Sequence, residues 1–243
     1  MTVRITSTHN PKYKEWMALR THASERFLLD GIKLAQEARQ AGLVEALIVA
    51  GDAESFCADD CAVYELPRFM VENLARTKTT QGVIAVCRYP EPAKADALGE
   101  RVVALDGLQD PGNVGTIIRT ADAAGMTGVF LGEGCADPFG DKAIRSAMGS
   151  AFRMKICGGN IAEYLARLKE RGASVYVSAM EGKPFREMKP AEPWVLVIGS
   201  EGRGVSQEAV ALATETVSVP MKGKAESLNA AVAAGILMFG LVQ

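Results

Sequence analysis

The sequence predicts an α/β protein: a small mixed unit, then a larger domain built on a parallel sheet with helices on both faces. Three observations predict it. From Arg101 onward, short β-branched runs such as Val102–Leu105 and Trp194–Ile198 alternate with helical stretches of about 10–14 residues. Between the two parts, Tyr89-Pro90-Glu91-Pro92-Ala93-Lys94-Ala95-Asp96 carries two prolines and no apolar pattern, as a linker does. The length of 243 residues, with 48% hydrophobic and 23% charged residues, suits one large or two ordinary soluble domains.

The amino-terminal unit reads as follows. A helix covers Pro11 to Leu19, a strand Arg26 to Leu29, and a helix Gly31 to Gln40, stopped by Gly42. A strand Val44 to Val49 ends at Gly51, and a strand Val63 to Leu66 leads into a helix from Pro67 to Ala75, with proline at its start. A strand from Gly82 to Val86 closes the unit.

The second part begins with strand 102–105 and a helix from Asn113 to Ala124, ended by Gly125. Strand 128–131, a helix Phe139 to Met148, strand Arg153 to Ile156 and a helix Ile161 to Arg171 follow. Strand Val175 to Val177, strand Trp194 to Ile198, a helix Ser206 to Ala213 and strand Thr216 to Val219 lead to the last helix, Ala230 to Leu241. That helix is apolar on every side, which suits burial against other backbone or a second copy of the chain. Pro220 closes the strand before it, Ser227 is a good start residue for it, and Asn229 is a polar amide in its first turn.

Composition excludes several function classes. No apolar run reaches the roughly 18 residues of a membrane span, and the opening residues lack a secretory leader's apolar core, so a cytoplasmic protein is expected. The five cysteines (Cys57, Cys61, Cys87, Cys135, Cys157) are scattered, which argues against a disulfide framework. Cys57 and Cys61 lack a second Cys/His pair at ligand spacing, so no metal is expected. Both histidines, His9 and His22, lie in the first segment, which disfavours a histidine-centred triad elsewhere. Net charge is −2, yet residues 1–40 hold seven Lys/Arg against four Asp/Glu, and residues 51–66 hold five acids and no base.

Ligands of parallel sheets bind beyond the carboxyl ends of strands, so the loops that matter start at Asp106, Ser178, Gly199 and Pro220. The first contains Asp110-Pro111-Gly112-Asn113, a turn that brings a helix amino end close to a ligand; Asn113 is expected at the cap and Arg119 two turns along. The loop Gly199-Ser200-Glu201-Gly202-Arg203-Gly204 is a backbone-lined concavity with one acid. Neither a dinucleotide fingerprint nor a Walker loop is present.

In order and spacing, D-P-G-N-V-G-x-I-x-R-T-A, I-G-S-E-G-x-G and V-P-M-x-G-x-x-E-S-L-N closely resemble the three motifs of the SpoU-type RNA 2′-O-ribose methyltransferases of the SPOUT class. The stretch Arg145 to Arg153 also resembles the family, and the likeness covers residues 101–243. More loosely, Phe27–Leu34 and Thr79–Val86 resemble the family's ribosomal-protein-like RNA-binding domain. The resemblance implies an RNA substrate-binding domain at 1–88, a linker at 89–99 and a methyltransferase domain at 100–243 with a carboxyl-terminal trefoil knot, a feature no periodicity predicts.

It further implies S-adenosylmethionine as cofactor, a homodimer that completes the site, and RNA as partner. Carried over, cofactor contacts fall on Gly199, Val219 and Leu228, with Gly202, Met221 and Ser227 beside them; the catalytic positions are Asn113, Arg119, Glu201 and Asn229. In similar enzymes the matching arginine is often taken as the base; because guanidinium essentially never deprotonates, Arg119 is expected first to hold an RNA phosphate and stabilise oxyanion charge, with base action as the alternative. Asn229 and Ser227 are expected to orient the hydroxyl and the loop. The family's Leu-Asn-Val-Ser departs here to Leu228-Asn229-Ala230-Ala231. The expected reaction is 2′-O-methylation of large-subunit (23S) ribosomal RNA; the alternatives are a transfer-RNA target or a noncatalytic RNA-binding assembly protein on the same fold.

Overall fold

The structure, a computed structural model, describes residues 2–20, 25–51, 60–75, 77 and 79–242. It divides into two compact units, Met1–Glu91 and Pro92–Gln243. His22 and Cys57 lie outside the described residues.

The first unit contains β1 (Thr2–Arg4), α1 (Pro11–Ala18), β2 (Arg26–Asp30), α2 (Ile32–Gln40), β3 (Val44–Ala50), β4 (Ala62–Leu66), α3 (Arg68–Leu74) and β5 (Val83–Arg88). The strands are ordered β1-β4-β3-β5-β2; β1, β4 and β3 run parallel, and β5 is antiparallel to both its neighbours. Sequence patterning missed β1 because its three residues are all exposed and carry no burial alternation. Asn10 caps α1, its side-chain oxygen accepting from Lys12 N at 2.9 Å. Trp16, Ile48, Tyr64, Leu66 and Met70 form the centre of this unit's core.

The second unit is β6 (Arg101–Asp106), α4 (Pro111–Ala124), β7 (Gly128–Gly132), α5 (Asp141–Ala147), α6 (Ser150–Arg153), β8 (Ile156–Gly159), α7 (Ile161–Glu170), β9 (Ser174–Pro184), β10 (Trp194–Gly199), α8 (Gln207–Ala211), β11 (Glu215–Ser218) and α9 (Ala230–Leu241). All the pairings are parallel, in the order β11-β9-β10-β6-β7-β8. Successive residues of a strand point to opposite faces. Val103 and Leu105 of β6 pack with Leu196, Ile198, α4 and α9 on one side. Val102 and Ala104 pack with Val195, Val197 and α7 on the other. The expected sheet, buried on both faces, is what forms. At Gly115 a Cβ would lie 2.1 Å from the Ala143 carbonyl oxygen, so α4 and α5 approach as closely as they do only with glycine there.

Three local expectations are corrected. Residues 150–153 form the helical turn α6 where a strand from Arg153 was expected, and β8 starts at Ile156. The turn is held on α4 by Asp122, whose carboxylate accepts from Ser150 Oγ at 2.6 Å and Arg153 Nη2 at 2.8 Å. The cap of α4 is Asp110, not Asn113: Asp110 Oδ1 accepts from Asn113 N at 2.9 Å, and Pro111, with no N–H to satisfy, takes the first turn. The cap of α9 is Asn229, not Ser227; residues 219–228 are non-helical.

Candidate active site

The middle of β9 and the loops leaving β10 and β11 surround a cavity of about 850 Å³ at the carboxyl edge of the sheet. All six residues expected to bind a cofactor line it: Gly199, Gly202, Val219, Met221, Ser227 and Leu228. Its wall is mainly glycine backbone and apolar side chain, the surface a nucleoside-sized ligand needs when its polar edge is read by main-chain groups. The glycine loop closes on itself through Gly204 N to Ser200 O at 2.9 Å and Ser200 N to Gly204 O at 3.2 Å. A Cβ on Gly199 would lie 2.1 Å from the Gly204 carbonyl carbon, so this wall requires glycine. The loop is tethered to the next strand by Asp106 at the end of β6, whose Oδ2 accepts from Ser206 N at 2.7 Å.

Beside this cavity three of the four expected catalytic residues meet. Asn229 Oδ1 accepts from Ala231 N at 2.9 Å and Val232 N at 3.3 Å, so the first turn of α9 orients this amide. Its Nδ2 therefore faces outward and donates to Asn113 Oδ1 at 3.1 Å. Asn113 in turn has only its NH₂ left to give, and that donates to Glu201 Oε1. A helix amino end thus polarises a directed chain of two amides ending on a carboxylate. Glu201 also lines the cavity, which places an anionic acceptor where cavity and relay meet.

The fourth residue, Arg119, is not part of this relay. It lies six residues beyond Asn113 on α4, roughly 9 Å along the axis and about 120° round it. It is exposed and makes no hydrogen bond or ion pair among the described residues, so its guanidinium is available to an anionic ligand. Sequence reasoning missed the groups that hold the relay in place. Lys142 Nζ pairs with Asp110 Oδ2 at 2.6 Å, and this contact, followed by the Asn113 N–H, holds the Asp110 carboxyl below the usual carboxylate range. The readable signal was an Asp directly before Pro111, a helix-cap pattern. Cys135 is no nucleophile here: burial pushes its thiol pKa up, and Sγ donates to Leu105 O at 3.2 Å. The position where the family's serine was expected, Ala231, is buried in the core under α9, where a methyl group needs no partner.

A parallel sheet with a nucleoside-sized cavity at its carboxyl edge and a carboxylate-ended relay beside it defines a ligand-binding α/β domain equipped for polar group transfer. The SpoU rRNA Methylase family model matches residues 100–239, and the chain belongs to that family. The chain is 38% identical to the 23S rRNA (guanosine(2553)-2′-O)-methyltransferase RlmP of Bacillus subtilis, the match covering 98% of each. It is 30% identical to the 23S rRNA (uridine(2479)-2′-O)-methyltransferase of Streptomyces viridochromogenes, over 99% of this chain and 92% of that one. Among solved structures, the AdoMet-bound rRNA methyltransferase from Sinorhizobium meliloti superposes with a TM-score of 0.85 at 29% identity, covering 98% of this chain and 97% of that one.

Proposed function

We propose that this chain methylates a ribose 2′-hydroxyl of large-subunit ribosomal RNA, with S-adenosylmethionine as the methyl donor. The observation that carries the reading is the junction of cavity and relay at Glu201. The cavity's volume and its glycine and apolar lining fit the cofactor, which would be held by Gly199, Val219 and Leu228 with Gly202, Met221 and Ser227 around them. When bound, the cofactor supplies an electrophilic methyl on a sulfonium. The rest is alignment and proton handling by the chain. The ribose oxygen forms a bond to carbon as the carbon–sulfur bond breaks, and the hydroxyl proton must leave. Glu201, oriented through Asn113 by Asn229, is the group placed to accept that proton. Arg119, always charged, holds an RNA phosphate and stabilises charge developing on the oxygen.

The first unit is the RNA-docking module in this reading, supported by the basic excess of residues 1–40 and the exposure of Lys12, Lys14 and Lys33. The second unit works as a homodimer. Along α9, Val232 (51% exposed) and Phe239 (53% exposed) lie seven residues apart on one face, a stripe that a second copy would cover. In this reading the carboxyl-terminal chain is knotted, supported by the resemblance of its three motifs to the family's and by the return of the chain from the edge strand β11 to pack α9 on α4. Among the described residues no helix is long and apolar enough to cross a membrane; a cytoplasmic location belongs to this reading because its substrate is ribosomal RNA. Calorimetry with S-adenosylmethionine, followed by methyl transfer to ribosomal and transfer RNA in parallel, tests the reading. Cofactor binding with product on ribosomal RNA is expected. RNA binding without cofactor affinity would mean a noncatalytic assembly protein, and product on transfer RNA alone would move the substrate.

A further inference from the structure

The stretch from Lys142 to Lys155 has no part in the reaction described above. It holds four Lys/Arg and no Asp/Glu, in a chain whose net charge is −2. Folded, it forms α5 and α6, and α5 runs alongside α4 in the same direction. A Cβ on Gly112 would meet Lys142, one on Gly115 would meet Ala143 and Ser146, and Asp122 accepts from Ser150 and Arg153. Gly112, Gly115, Arg119 and Asp122 recur at helical spacing, so Arg119 leans toward α5 between the levels of Ser146 and Arg153. Lys142, Arg119 and Arg153, all exposed, therefore stand along one seam. Its floor is low, because Gly112, Gly115 and Ser146 present no long side chain, and the Ser146 hydroxyl makes no hydrogen bond among the described residues. The acids that face the seam are Asp110, 2.6 Å from Lys142 Nζ, and Asp122, 2.8 Å from Arg153 Nη2. Arg145 turns away to Asp141 on its own helix. Exposed pairs of this kind are weak, so a polyanion can compete for the cations.

We propose that the RNA strand next to the target ribose lies along this seam, its phosphates over Lys142, Arg119 and Arg153; this rests on the methyltransferase reading above. The seam starts at the relay. Asp110 accepts from the Asn113 N–H and from Lys142 Nζ, so the reaction edge and the first cation share one carboxylate. From Asn113 to Asp122 α4 rises about 14 Å, long enough to pass more than one phosphate. Contacts to phosphate fix the register of a strand and carry no sequence information, so the seam positions the ribose while the bases are read elsewhere. An acidic protein is the other polyanion that fits a row of cations. The seam opens on the relay, where a ribose has to be delivered, and that favours RNA.

The test measures turnover and affinity of the full chain with unmodified 23S ribosomal RNA across a salt series. Lys142→Gln and Arg153→Gln are each expected to lower the slope of log affinity against log salt by about 0.7–0.9. Arg153→Gln, remote from the relay, should also raise KM for the RNA about three- to tenfold with kcat within about twofold, and Arg153→Lys should restore KM. Ala123→Glu adds an acid to the exposed side of α4 without removing a bond, and should raise KM in the same way. Lys169→Gln, on α7 across the sheet, should leave both slope and KM unchanged. Unchanged slopes and KM in Lys142→Gln, Arg153→Gln and Ala123→Glu overturn the proposal and leave the surface to an acidic protein. An equal loss in Lys169→Gln also overturns it, since the RNA would then be held diffusely. If Arg153→Gln disturbs the fold, seen as lost affinity for S-adenosylhomocysteine, Lys142→Gln and Ala123→Glu decide. A parent chain that neither binds nor methylates this RNA overturns the methyltransferase reading itself, and the seam's role with it.

Discussion

Asn229 and Asn113 stand 116 residues apart in the chain and share one hydrogen bond, Nδ2 to Oδ1 at 3.1 Å. Each amide does a second job that sets its direction. Asn229 caps α9, and Asn113 donates to Glu201. Helix capping and the reaction edge are thereby one network, so the capping and polar-relay roles of Asn229 should be separable by substitution.

Asn229→Ser keeps a side-chain oxygen at the cap but cannot donate to Asn113 through an amide. We expect thermal stability within about 0.5 kcal/mol of the parent and turnover reduced by about 10²-fold. Asn229→Ala removes the cap as well and should cost a further 0.5–2 kcal/mol, roughly. Denaturation midpoints and methyl incorporation measured on the same preparations check both.

Arg119 is exposed and off the relay, so its removal should not disturb the cavity. Arg119→Ala is expected to lose most turnover, about 10²-fold or more, while cofactor affinity by calorimetry stays within about twofold. A comparable loss of cofactor affinity would contradict the assignment of Arg119 to RNA.

Gly199 is the reverse case. A Cβ there would meet Gly204 at 2.1 Å, so Gly199→Ala must push the loop outward. The expected result is at least a tenfold loss of cofactor affinity, roughly, with RNA binding by filter retention unchanged.

Asp110 gives a pH-dependent prediction. Lys142 beside it depresses its carboxyl in the folded chain. A group depressed on folding adds stability above its unfolded pKa, about 3.9, and that addition is lost as pH falls through the lower folded value. Asp110→Asn keeps a good cap but loses the charge pair. The stability difference between parent and variant should be largest near neutrality, begin to shrink as pH falls to about 3.9, and vanish only below the lower folded value, as urea titrations across that range would read.

Much of the larger unit was legible because its strands are short, β-branched and separated by helices, and because Gly125 and Pro220 mark ends of elements by backbone chemistry alone. The misread segment at 150–156 shows where that fails: a single helical turn is fixed by Asp122 on another helix, and local pattern carries no trace of it. The six cavity residues were legible through motif resemblance, and the structure brings them to one cavity. The order Asn229 to Asn113 to Glu201 was not legible, since it depends on α9 packing against α4 and on which amide atom faces which partner. A loop was expected from Ser178, but β9 runs on to Pro184, and its irregularity is visible only as the shift of register against β11 between Thr216 and Val217.

The central claim is most directly tested by incubating the full chain with methyl-labelled S-adenosylmethionine and unmodified 23S ribosomal RNA, then hydrolysing the RNA with alkali. A 2′-O-methyl ribose blocks cleavage of its own linkage, so the account predicts label in an alkali-resistant dinucleotide, lost with Arg119→Ala. Label recovered only in alkali-sensitive mononucleotides, or in no RNA at all, would contradict it.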